Sequence, residues 1–75
     1  MTVGEMFTKL ENGSAMTLPK WDKKGQYIYL TGSKIPGVRP SIMMNTQVGR
    51  QVLWIPYQED LLSKEWFEKE GMKVG

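Results

Sequence analysis

The stretch Thr2–Pro19 reads TVGEMFTKLENGSAMTLP, and its apolar spacing changes partway along. Thr2 and Glu5 stand at the spacing of a capping box, in which each side chain satisfies a main-chain N–H of the other at a helix start. Val3, Met6, Phe7 and Leu10 follow on one helical stripe, and Gly13 supplies a stop signal. The spacing predicts a short amphipathic helix that packs its stripe on a sheet. Beyond Gly13 the run AMTLP is short and extended, so helix gives way to strand within a few residues.

Working outward, Pro19 and Lys20 lead to Trp21, DKKG at 22–25 predicts a turn, and QYIYLT at 26–31 alternates as a strand does. The segment GSKIPGVRP at 32–40 has two prolines, two glycines and no period, which predicts a surface loop carrying Lys34 and Arg39. SIMMNT and QVLWI are β-prone runs around TQVGR, where Gly49 suits a tight hairpin. Pro56 lacks a ladder donor and ends the second run. QEDLLSKEW then predicts a short helical turn with Leu61 and Leu62 facing inward, and WFEKEGMKVG either a last edge strand or a frayed tail. With no repeat and no linker, 1–75 is expected to be a single α+β domain. Its parts are a small, twisted antiparallel β-sheet, an N-terminal amphipathic helix and a short C-terminal helical turn.

A chain of 75 residues can bury only a modest fraction of its surface, so its own core gives limited stability. It has no cysteine and no histidine, which removes disulfides and the usual structural zinc ligands. Reinforcement is therefore expected from other subunits. Ten basic against eight acidic residues leave a net charge of +2, too small to attract nucleic acid strongly. No apolar run is long enough to span a membrane, and the N-terminus lacks a signal-peptide pattern. Together with the missing cysteines this predicts a cytosolic protein.

Catalysis needs a proton shuttle, an activated nucleophile or a metal, and the inventory offers only carboxylates, hydroxyls, lysines and tyrosines for those tasks. Asp22, Glu59, Asp60 and Glu65 match no metal-loop spacing, and no Walker or GxGxxG loop is present. Neither catalytic residues nor a cofactor or metal is expected. Binding fits better. Trp21 stands beside Asp22 and Lys24, and Trp54 beside Gln58 and Asp60, each pairing a flat aromatic surface with directional polar groups at a strand boundary. That combination suits a nucleobase, a ribose and a phosphate, although all three tryptophans could equally belong to the core.

The helix TVGEMFTKLENG, the Trp, polar turn and aromatic strand of WDKKGQYIYL, and the run LWIPYQEDLLSKEW together resemble the small phage and prophage proteins of the Thoeris anti-defence two family. The last motif is the most specific, through Trp54, Gln58, Asp60, Leu61, Leu62, Glu65 and Trp66. Asp22 and Lys23 depart from the family's usual Asn and Gly, and Tyr57 from its small residue. The resemblance implies a non-catalytic sponge that sequesters cyclic ADP-ribose-type immune signals, or cyclic oligonucleotides, in the cytoplasm of the infected bacterial host. It also implies a homotetramer with ligand pockets between subunits. On this reading Trp21 and Trp54 stack or wall the bases, Asp22, Gln58 and Asp60 hold ribose or base edges, Arg39 or a lysine meets the pyrophosphate, and Lys24 belongs to the ligand-binding set. The rival expectations are a single-stranded nucleic-acid binding module and a structural or protein-binding accessory of a phage particle.

Overall fold

Thr2 caps the first helix as its spacing predicts: its side chain accepts from the Glu5 N–H, and its own N–H donates to Glu5 Oε1 at 3.1 Å. The computed structural model describes residues 1–32, 36–37 and 40–73, the last four through the backbone alone. Helix α1 (Val3–Glu11) leads into β1 (Ser14–Thr17), a helical turn α2 (Pro19–Asp22), β2 (Tyr27–Thr31), β3 (Ser41–Asn45), β4 (Gln51–Leu53), α3 (Gln58–Leu62) and β5 (Phe67–Lys73). The strands form one antiparallel sheet in the order β4-β3-β2-β1-β5. The α+β architecture is thus the one expected. No helix among the described residues is long and apolar enough to cross a membrane.

Register builds the core. Met16 pairs with Ile28, Ile28 with Met44, and Met44 with Val52, which lines up one cross-strand row of apolar side chains on a single face. Helix α1 packs on β1 and β2 and buries Met6 and Leu10 beside Met16 and Ile28. Burial weakens along the row toward the β4 edge, where Val52 is exposed. The three tryptophans close the remainder of that core, joined by Leu18.

Three local expectations meet their outcomes here. The hairpin at 46–50 forms, with the Gly49 N–H donating to the Thr46 carbonyl at 2.9 Å and Gly49 at φ +82°, a backbone conformation that side chains disfavour. The C-terminal segment is an edge strand rather than a frayed tail: β5 pairs with β1, and its register shifts between Ser14 and Met16. The loop at 32–40 is described only at Gly32, Pro36, Gly37 and Pro40, so Lys34 and Arg39 lie outside the described residues.

Two details differ from expectation. Trp21 sits inside α2, not at a strand boundary, because Pro19 occupies the first helical position, where its fixed φ favours a helical turn. In α3, Leu61 is half-buried and Leu62 is 79% exposed, so the two leucines do not both face inward. Successive helical residues project about 100° apart, and the inward position belongs to Asp60.

Candidate functional site

Asp60 is an unusual residue for an interior position, since a lone buried carboxylate is costly. Its side chain is 3% exposed and accepts from Lys20 Nζ at 2.8 Å, while the same ammonium reaches Glu59 Oε1 at 3.3 Å. The Asp60 main chain is also engaged: its N–H donates to the Tyr57 carbonyl, and its carbonyl accepts from the Trp66 indole N–H at 3.0 Å. The hydrogen bond that Lys20 donates to Asp60 is the chief cause that raises the Lys20 pKa above its ordinary value; burial opposes it, and Glu59 adds a smaller push in the same direction as Asp60.

Behind this network lie three indoles in mutual edge-to-face contact. Trp21 and Trp66 are 5.2 Å apart between ring centres, Trp54 and Trp66 5.9 Å, and Trp21 and Trp54 6.3 Å, with interplanar angles of 79°, 85° and 84°. The positive edge of one ring meets the negative face of the next, which adds about 0.5–1.5 kcal/mol per pair beyond burial. Trp66 belongs wholly to the core. Trp21 and Trp54, each 8% exposed, serve both the core and a cavity of about 410 Å³.

That cavity is assembled from separate parts of the chain. The α2 region supplies Lys20, Trp21 and Lys24, and Trp54 arrives directly after β4, anchored by its N–H on the Ile42 carbonyl. Ile55 and Tyr57 follow across Pro56, and α3 contributes Glu59 and Asp60. Met44 and Leu53 complete the lining. The walls are therefore mainly apolar and aromatic, with two lysines and two carboxylates among them.

Of the seven residues singled out from the sequence, the structure brings Trp21, Lys24, Trp54 and Asp60 to this one cavity. Asp22 goes elsewhere: it accepts from Lys69 at 2.9 Å beside Phe67 and Glu68. Gln58 is exposed at the start of α3 and does not line the cavity, and Arg39 lies outside the described residues. Sequence reasoning missed Lys20, Glu59 and Tyr57. The signal for Lys20 was its place between Pro19 and Trp21, in the proline-initiated turn that carries the indole. For Asp60 the burial itself had no sequence signature, because its partner is distant in the chain.

A five-stranded antiparallel sheet packed by helix α1, with a cavity walled by two tryptophans, defines a small α+β module. The family model of the Thoeris anti-defense 2-like domain matches residues 1–68, and the chain belongs to that family. The role that membership implies is Thoeris anti-defence. No curated protein matches the chain.

Proposed function

We propose that the protein is a non-catalytic sponge that holds a cyclic ADP-ribose-type or related cyclic nucleotide signal in the Trp21–Trp54 cavity and so keeps it from its receptor. The observation that carries this reading is the joint placement of two indoles, two lysines and two carboxylates around one cavity. Aromatic surface takes a base, a carboxylate accepts from ribose hydroxyls, and an ammonium meets phosphate. A volume of about 410 Å³ lies within the range of small-molecule sites. The interior carboxylate, Asp60, is already committed to Lys20, so its role is to position that lysine rather than to move protons.

The assembly we propose is a homotetramer acting in the bacterial cytoplasm. Edge strand β4 leaves Val52 and Leu53 exposed, and Ile55 and Tyr57 continue the apolar surface beside the cavity. A second copy placed there would cover apolar area and close the open side of the site. Gln58, Asp22 and Arg39 enter this reading only as contacts that a neighbouring subunit could bring to the ligand.

The test is a thermal-shift titration with glycocyclic and ordinary cyclic ADP-ribose, cyclic dinucleotides and cyclic trinucleotides, followed by heat release and mass spectrometry of the ligand. Saturable stabilisation by one compound, recovered unmodified, is the expected result, with about 2.7 kcal/mol gained at a hundredfold excess over Kd. Trp54→Ala should weaken that binding by about 1–3 kcal/mol in a folded protein. Absence of any shift sinks the sponge, and a chemically altered ligand sinks its non-catalytic character. Binding to single-stranded nucleic acid with a steep salt dependence would favour the rival module instead.

A further inference from the structure

The cavity presents Lys20 and Lys24 against Glu59 and Asp60, so the formal charges of its lining cancel. A doubly charged phosphate group entering such a site finds no net attraction while both carboxylates stay in place. The two carboxylates are unequal, however. Asp60 is 3% exposed, sits 2.8 Å from Lys20 Nζ and is held through its main chain by Tyr57 and Trp66. Glu59 is 75% exposed, lies 3.3 Å away and has no other hydrogen bond among the described residues.

We propose that Glu59 is an exchangeable partner of Lys20: a pyrophosphate-type anion entering the cavity takes its place on the ammonium, while Asp60 keeps the lysine fixed. This rests on the reading of the cavity as a nucleotide site and names the group that selects its ligand. The exposed leg of the pair is the weaker one, because solvent screens it, and it can be surrendered at little cost. Lys20 has three donors, so it can hold Asp60 and an anion together. The released carboxylate also has somewhere to go. Lys20 and Glu59 line a second depression of about 430 Å³ with Leu18, Leu62, Ser63 and Glu65, so their pair forms the ridge between the two hollows. Lys24, which is in no ion pair among the described residues, supplies the second cation. Glu59 thus acts as a threshold: an uncharged nucleoside leaves it in place, and a pyrophosphate displaces it.

Titration calorimetry with inorganic pyrophosphate and, separately, with cyclic ADP-ribose on wild type, Glu59→Gln and Glu59→Ala tests the exchange. Both variants should bind pyrophosphate about 2- to 10-fold tighter than wild type, since they remove a competitor rather than add a contact. Equal or weaker pyrophosphate binding in the variants overturns the proposal. So does a gain in Glu59→Gln alone, which would show the new amide contacting the ligand, and so does the failure of all three folded proteins to bind pyrophosphate. If wild type ignores every cyclic nucleotide while the variants gain pyrophosphate affinity, the sponge reading fails and the exchange stands.

Discussion

The Trp66 indole N–H donates to the Asp60 carbonyl at 3.0 Å, and this bond couples the buried aromatic trio to the ion pair at the cavity wall. One residue of the core thereby sets the height and orientation of α3. Trp66→Phe keeps an aromatic ring but loses this donor and part of the packing against Trp21 and Trp54. We expect a loss of about 2–4 kcal/mol in urea unfolding, since the Asp60 carbonyl keeps only the bond from the Ser63 N–H at 3.3 Å and a void opens where the indole was. A loss under about 0.5 kcal/mol would show that the bond does not anchor α3.

Lys20→Met removes the only side-chain partner of the Asp60 carboxylate among the described residues. The variant should lose about 1–3 kcal/mol, with the cost falling on the buried carboxylate rather than on the lysine. Asp60→Asn in the Lys20→Met background should then recover most of that loss, because the group left in the interior no longer carries charge. Strictly additive effects in the four-protein cycle would contradict the coupling. Because the Lys20 pKa is raised above 10.5, its share of stability is complete below that pH and disappears only as pH rises through the higher folded value. Alkaline melts of wild type and Lys20→Met should accordingly converge as pH rises above 10.5.

Glu5 titrates in the opposite sense. Its pKa is lowered from 4.5, first by the hydrogen bond from the Thr2 N–H and then by the Thr2 hydroxyl. The charged cap therefore stabilises α1 above that value, and the contribution is lost as pH falls through the depressed folded pKa. Glu5→Gln should flatten the decline in Tm on the acid side of pH 4.5, and an unchanged slope would mean that other carboxylates govern it.

Gly49→Ala should destabilise the β3–β4 hairpin although open space surrounds the position, since the penalty lies in the backbone at φ +82°. The expected cost is about 1 kcal/mol. A variant as stable as wild type would show that the turn readily takes another form.

How much was legible in the sequence follows from the range of each interaction. Helix α1, the Thr46–Arg50 turn and the alternating strand around Ile28 and Tyr29 are local patterns, and each stands where the residues indicated. Trp21 and Trp54 were legible as cavity residues through their polar neighbours, yet those neighbours divided. Asp22 turned away to Lys69, and Lys24 stayed with the indoles. Adjacency in sequence fixes nothing about the side to which a helical residue points. The inward placement of Asp60 and the outward one of Leu62 reverse what hydrophobicity alone suggests. They depend on Lys20, some forty residues earlier, and no local window contains both.

The sheet order also governs how the chain comes together. Strands β1 to β4 pair each with the next, whereas Thr17 of β1 meets Phe67 of β5 across about fifty intervening residues. On a ribosome, β1 emerges early and waits with one edge unpaired until β5 is made. Trp66 lies just before β5, so the indole trio that backs the cavity is complete only once that part of the chain has been made. Refolding followed by tryptophan emission should report the final event of folding rather than the first collapse. Any protease or chaperone that meets the chain before then encounters a sheet with an open edge and an aromatic core still lacking its third ring.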